Sequence, residues 1–166
     1  DVTLSATGDI DINSALAFKG TSVDGFTLLA GGAIAVNQSV SGTGNIVLDS
    51  GLTALGGSGA GGITVGAAVA TTGTKAGDDA IVLSAGSAGI QLDSNLSASV
   101  VDLSTTGGGV TQAGTAGITT GLLQSSTGVG GAVALPGANA IGSIGAFAVT
   151  GGGLQLTDTG TLTITT

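Results

Sequence analysis

Residues 26–36 read Phe26-Thr27-Leu28-Leu29-Ala30-Gly31-Gly32-Ala33-Ile34-Ala35-Val36, and they carry the pattern on which the fold prediction rests. Two short triplets in it, 26–28 and 34–36, place large apolar side chains at their first and third positions and a small side chain between them. Because successive side chains of an extended strand point to opposite faces, the two outer positions of each triplet share one face. The glycines between the triplets are suited to a corner. We therefore interpret the stretch as two half-buried β-strands joined by a sharp turn.

The same triplet recurs along the whole chain. Alternate copies begin at residues 2, 26, 46, 63, 81, 101 and 118, which are 17 to 24 residues apart. The spacing predicts a unit of about 20 residues that holds two strands and repeats about eight times. Strands this short are stable when they stack on copies of themselves, so the pattern predicts an all-β parallel solenoid. The other copies lie at residues 10–12, 90–92, 133–135, 147–149, 154–156 and 162–164, with weaker ones at 110–112 and 118–120.

The composition of the chain agrees with many thin layers instead of one thick core. Gly contributes 34 of the 166 residues and 42% are hydrophobic, while Cys, Met, Trp, Tyr and His are absent. A helical fold is disfavoured, because Gly and β-branched residues occur throughout and no 3.6-residue period persists. We expect residues 1–166 to be a single solenoid segment, and we expect it to be an excerpt from a longer repetitive protein.

The net charge of −8 argues against two classes of partner. Nucleic acid binding depends on Lys and Arg, of which the chain has two in total. Anionic membrane surfaces are disfavoured for the same reason. The uncharged run 103–157 does not predict a membrane-spanning helix, because it is rich in Gly, Ser and Thr and alternates with a period of two.

The residues that most enzymes use are missing or poorly placed. There is no His, Cys or Arg, and these are the usual general bases, nucleophiles and anion clamps. A Ser22–Lys19 pair and the carboxylate pairs Asp9/Asp11 and Asp78/Asp79 are conceivable sites of chemistry. Solenoids that cleave sugars need paired carboxylates, and we would also expect aromatic side chains to stack on the sugar. We expect no enzymatic activity, no catalytic residue and no cofactor.

The sequence contains one partial match to a calcium-binding repeat and two glycosylation sequons. The calcium-binding repeat needs an Asp after its glycines, and the nearest match, at 56–61, lacks it. The Asp residues do not recur at one repeat position, so we expect them to form a solvated face and to bind no metal. Asn37 and Asn95 lie in glycosylation sequons, which matter if the chain is secreted. Irregular segments at 17–25, 52–62 and 70–79 are predicted loops, suited to binding or simply neutral insertions.

Several segments together resemble the repeats of filamentous haemagglutinin-like exoproteins. They are Gly8-Asp9-Ile10-Asp11-Ile12-Asn13, the residues 28–37, Gly44-Asn45-Ile46-Val47-Leu48 and the residues 130–161. That family comprises large surface proteins of Gram-negative bacteria that are exported by two-partner or autotransporter routes. The resemblance implies a right-handed parallel β-helix, export to the cell surface, and a role in adhesion or matrix. It transfers no functional residue to this chain.

The leading hypothesis is a structural stalk or filament segment of a bacterial surface adhesin or matrix protein. An alternative is a self-assembling extracellular fibre subunit that stacks end to end through uncapped strand edges. A glycan-binding module and an ice-binding solenoid with an array of Thr are further alternatives. The expected partners are neighbouring coils, copies of the same protein, or a host-cell or matrix surface, with no nucleic acid and no membrane insertion. The expected location is the Gram-negative outer surface or the extracellular space.

Overall fold

The computed structural model describes residues 1–19, 25–73 and 79–165 and is a parallel β-solenoid of about seven turns. Every strand pairing among these residues is parallel. The same residues contain one 3-10 helix, Thr53–Leu55, and no α-helix. The strands are β1 (Val2–Ala6), β2 (Ile10–Ile12), β3 (Leu16–Ala17), β4 (Phe26–Ala30), β5 (Ile34–Val36), β6 (Val40–Gly42), β7 (Ile46–Asp49), β8 (Ile63–Val65), β9 (Val69–Thr71), β10 (Ala80–Ala85), β11 (Ile90–Leu92), β12 (Leu96–Thr105), β13 (Val110–Gln112), β14 (Ile118–Val129), β15 (Val133–Val149), β16 (Leu154–Asp158) and β17 (Thr163–Ile164).

Each turn of the solenoid has three faces. The first face stacks β1, β4, β7 and β10, and then the second halves of β12 and β14, the end of β15, and β17. The second face stacks β2, β5, β8, β11 and β13, followed by the start of β15 and by β16. The third face stacks β3, β6 and β9, and then the starts of β12 and β14 and the middle of β15. The last long strands therefore continue around corners from one face to the next.

The predicted solenoid is confirmed, but the prediction of two strands per unit is wrong because each turn has three. On the first face the inward residues are paired at steps of 24, 20, 35, 20, 22, 21 and 20 residues. The 35-residue step joins Ile46 to Ile81. The predicted repeat stacks Ile63 between Ile46 and Ile81 on one face. In the structure Ile63 lies on the second face and pairs with Ile34 and Ile90. Seven steps on this face agree closely with the predicted number of coils.

The interior is a set of aliphatic columns that run parallel to the axis. Leu28, Leu48, Leu83 and Leu103 follow one another on the first face, and each is at most 1% exposed. Burying a side chain of this size stabilises the fold by about 1.5–3 kcal/mol. The predicted alternation therefore holds through the middle turns, where the first and third residues of each triplet point into the solenoid.

Close stacking of the turns requires glycine at particular corners. A Cβ at Gly57 would collide with the carbonyl group of Gly31 in the turn below. Gly89 has a φ of +82°, a left-handed conformation that other residues adopt at a cost. These contacts explain why the glycines between the triplets cannot be exchanged freely for alanine.

Candidate functional site

Asp9 and Asp11, one of the carboxylate pairs that the sequence singled out, have different surroundings in the described structure. Asp9 Oδ1 accepts the backbone N–H of Ala33 at 2.7 Å, while Asp11 faces solvent on the second face. Asp79 Oδ2 accepts the hydroxyl of Ser99 at 2.6 Å. Ser22, Lys75 and Asp78 lie outside the described residues. The geometry therefore assigns Asp9 to the stacking of turns.

Other Asp and Asn side chains at the corners act as Asp9 does. Each accepts a backbone N–H of a neighbouring turn through a side-chain oxygen, which supplies an acceptor to backbone at the corners between strands. The pattern makes these residues cross-turn links. The links run from Gly25 N to Asp1 at 2.6 Å, from Ala80 N to Asn45 at 3.0 Å, from Gly117 N to Asn95 at 2.8 Å and from Ile141 N to Asp158 at 2.8 Å.

The prediction that the Asp side chains form a solvated face is wrong for Asp102. It is 3% exposed although it occupies an outward position of its triplet. Its Oδ1 accepts the Ser104 hydroxyl at 2.9 Å, and its Oδ2 accepts Gln124 Nε2 at 3.0 Å. Both oxygens also accept the Ser126 N–H, at 3.1 and 3.2 Å. The register of β14 shifts beside this cluster, so Asp102 holds the irregular backbone of the next turn in place.

Asp49 experiences a different environment on the first face. It is half-buried, and burial raises the pKa of the Asp49 carboxyl above its ordinary value, while a hydrogen bond with Ser84 opposes that rise. Asp49 also lies beside outward Val47 and Val82, which are half-buried themselves. Burial therefore makes the ionised form of Asp49 less favourable in the fold than in water.

The interior holds a polar pair that the sequence did not identify. Gln112 Nε2 donates to Asn139 Oδ1 at 2.7 Å, and Asn139 Nδ2 donates to Gln112 Oε1 at 3.2 Å. Asn139 is 0% exposed, and Gln112 is 7% exposed. The one available signal was the weak triplet 110–112, whose third, inward position is Gln instead of an aliphatic residue.

The two sequon asparagines lie on the surface. Asn37 is exposed, and its Nδ2 donates to Asn13 Oδ1 at 2.9 Å. Asn95 is exposed as well, and its Oδ1 accepts Gly117 N. Glycosylation at either residue stays a prediction.

The predicted loop 52–62 is joined to the stack at both ends. Leu52 N donates to Ala30 O at 3.0 Å, and Ser87 N donates to Gly59 O at 3.0 Å. Thr53 and Ala54, in the 3-10 helix, are exposed between these anchors. The loops predicted at 17–25 and 70–79 lie partly outside the described residues.

The outward columns do not present a continuous array of threonines. On the second face the outward residues follow one another as Asp11, Ala35, Thr64, Gln91, Thr111, Ala134 and Gln155. On the first face Thr3 and Thr27 are followed by Val47, Val82 and Asp102. This arrangement gives no support to the ice-binding alternative.

Both ends of the described solenoid expose residues of the inward columns. Val2 and Leu4 are 49% and 51% exposed at one end, and Leu154 and Ile164 are 40% and 75% exposed at the other. In the middle turns, residues in the same columns are covered on both sides. The exposed residues would be covered by a further turn of the same kind.

Two further findings concern the described residues. No helix among them is long and apolar enough to cross a membrane. No three His, Cys, Asp or Glu side chains in this part of the chain converge as metal ligands would.

Comparison of the chain with protein families, with curated proteins and with solved structures gave no match.

Proposed function

We propose that this chain is a structural rod segment, a stalk or filament piece of a bacterial surface adhesin or matrix protein. The observation that supports this function is the continuity of the stack, in which inward aliphatic columns pass through about seven turns. The Asp and Asn side chains described above bond neighbouring turns, so their chemistry is used to hold the rod together. The assignment to a bacterial surface rests on the sequence resemblance to filamentous haemagglutinin-like repeats.

The geometry accounts for how such a segment would work. Parallel strands stack at about 4.8 Å per turn with their hydrogen bonds directed along the axis. Each added turn extends the rod by the same amount and buries another layer of aliphatic side chains. The length of the segment, and not a particular pocket, is then the property that matters.

The test is a replacement experiment in the protein that carries this segment. Residues 1–166 are deleted in one variant and replaced by an unrelated β-solenoid with the same number of turns in another, and attachment of the cells to a surface is measured. A rod segment predicts that deletion reduces attachment and that the replacement restores it. Loss of attachment in both variants would instead show that this sequence carries a ligand-binding site, and it would refute the proposal.

The exposed apolar ends favour a second candidate, a fibre subunit that stacks end to end. Unpaired strand edges with apolar side chains beside them favour the addition of another chain. Electron microscopy of the purified chain separates the two candidates, because only this one predicts long filaments. Leu4→Lys at one end would abolish filaments of this kind, and Thr64→Lys on an outward face is the matched control that leaves them intact. Filaments that persist in the Leu4→Lys variant would contradict end-to-end stacking.

A further inference from the structure

The Gln112–Asn139 pair interrupts two columns that are otherwise aliphatic over the turns before it. On the second face the column that contains Gln112 has an aliphatic residue in each of its remaining turns. On the third face the column containing Asn139 is aliphatic in all five preceding turns. The second-face members are Ile12, Val36, Val65, Leu92, Leu135 and Leu156, and the third-face members are Leu16, Val40, Val69, Leu96 and Ile118.

Asn139 connects three consecutive turns through its side chain. Its Oδ1 accepts the N–H of Ile118 in the preceding turn at 2.9 Å, in addition to the Gln112 amide. Its Nδ2 donates to Leu135 O within its own turn at 3.2 Å, and to Thr157 O in the following turn at 2.9 Å. Every one of these bonds depends on residue 139 lying at this point of the interior.

The sequence that follows allows a second register. In Ala140-Ile141-Gly142-Ser143-Ile144-Gly145-Ala146-Phe147 a large apolar residue recurs at every third position. If this segment slipped by three residues, Ile144 would occupy the interior place of Ile141, and Phe147 would occupy that of Ile144. At the places of Ile141 and Ile144 the aliphatic interior alone distinguishes poorly between these registers, because both put large apolar side chains there.

A slip of this kind would be penalised at Asn139. Gly142 would take the place of Asn139, so the Gln112 amide and the Ile118 N–H would lose their partners inside the solenoid. Buried polar groups without partners are strongly disfavoured. A slip in the opposite direction is disfavoured by packing, because Ala138 would replace Ile141.

We propose that Gln112 and Asn139 form a register lock, which selects one of two pairings that the apolar pattern of β15 allows. The lock goes beyond the rod function and does not depend on it. It accounts for a buried amide pair in a stretch where the chain has no charged residue between 103 and 157. A single buried polar contact is known to fix register in other repetitive folds.

Cysteine cross-linking reports the register directly, since the chain has no cysteine of its own. Thr119 and Ala140 are exposed and face each other on adjacent strands, within the spacing that a disulfide spans. After a three-residue slip, Thr119 would face Ser143 instead. The pair Thr119→Cys/Ala140→Cys therefore reports the native register, and Thr119→Cys/Ser143→Cys reports the slipped one.

Each cysteine pair is placed in the parental chain and in the Asn139→Ala, Gln112→Leu and Asn95→Ala backgrounds. Asn95 is the matched control because it also bonds a backbone N–H of the next turn but is exposed. The parental chain and Asn95→Ala should give the 119–140 cross-link and only background 119–143 product. In Asn139→Ala and Gln112→Leu, the 119–143 yield should rise well above background while the 119–140 yield falls.

Folding of each variant is checked by circular dichroism. If Asn139→Ala does not fold, Gln112→Leu decides the question, because Asn139 keeps its backbone bonds there. A folded variant of the lock that gives only the 119–140 product would overturn the proposal. Failure of both lock variants to fold would overturn it too, because the pair would then be needed for folding and not for selecting a register.

Discussion

Two buried serines on the first face should respond to the same substitution with opposite signs. Ser50 is 4% exposed, and within the described part of the chain its hydroxyl oxygen has no hydrogen-bond partner. Ser104 is 2% exposed, and its hydroxyl donates to Asp102 at 2.9 Å and accepts Thr127 N at 3.3 Å. We therefore expect Ser50→Ala to stabilise the protein and Ser104→Ala to destabilise it.

The magnitudes follow from hydrogen bonding. A buried polar group without a partner costs about 1–3 kcal/mol, so its removal at Ser50 should raise the free energy of unfolding by about 1 kcal/mol after a small loss of packing. Alanine fits this place, since the neighbouring rows carry Ala30 and Ala85, both buried. At Ser104 the lost bond is to a carboxylate, which corresponds to a loss of about 1.5–3 kcal/mol.

Urea unfolding followed by circular dichroism measures both variants against the parental chain. Equal unfolding slopes are required, so that the shift in midpoint reports stability. A midpoint lowered by Ser50→Ala as much as by Ser104→Ala would contradict this expectation, because the Ser50 hydroxyl would then have a stabilising partner.

Three further substitutions probe the columns, the corners and the charge on the first face. Leu83→Ala should cost about 2–5 kcal/mol because Leu83 is fully buried, whereas Leu154→Ala, at a 40% exposed position, should cost about 1 kcal/mol or less in the same unfolding assay. Gly89→Ala should cost about 1–3 kcal/mol in thermal unfolding, because φ is +82° and the new Cβ would meet the carbonyl of Gly109; an unchanged midpoint would contradict the stacking geometry. Asp49→Asn should stabilise the protein at pH 7, because the raised pKa means that the parental fold loses stability as pH rises from the ordinary value of 3.8 through the folded pKa. That advantage should vanish in unfolding measurements below the ordinary pKa, and an advantage that persists there would show that charge is not its cause.

The strands of the first and second faces were predictable because their pattern is local. Ile34 and Val36 are inward, and Ala35 is outward, as alternation alone requires. The third-face strands at 40–42 and 69–71 were missed for an equally local reason. Val40-Ser41-Gly42 and Val69-Ala70-Thr71 have a small or polar residue at their second inward position, so they lack the apolar ending that defines the triplet. The triplet at 118–120 was found, but it was placed in the series that begins at residues 2 and 26, although it lies on the third face.

The pairing of the third turn could not be predicted because it depends on an insertion. Ile81 follows Ile46 by 35 residues, and the chain between them includes a second-face strand beginning at Ile63. A search for a repeat of about 20 residues places Ile63 above Ile46, since both begin similar triplets. Three-dimensional stacking rejects that pairing, because the loop 52–62 turns the chain onto the second face.

The interior polar pair was unpredictable for a related reason. Gln112 and Asn139 are 27 residues apart and lie on different faces, and the closed turn brings them together. Neither residue is unusual by itself in a chain rich in small polar residues. The role of the corner Asp and Asn side chains was likewise hidden, because each bonds a backbone group that belongs to another turn.

Nuclear Overhauser contacts between adjacent strands test the three-faced solenoid most directly. The structure pairs Val47 with Val82, and Val82 with Asp102, across neighbouring turns of the first face. We therefore predict inter-strand contacts from Val47 to Val82 in the purified chain. Contacts from Val47 to Thr64 would instead show the 17-residue repeat that the sequence spacing suggests, and they would contradict the fold described here.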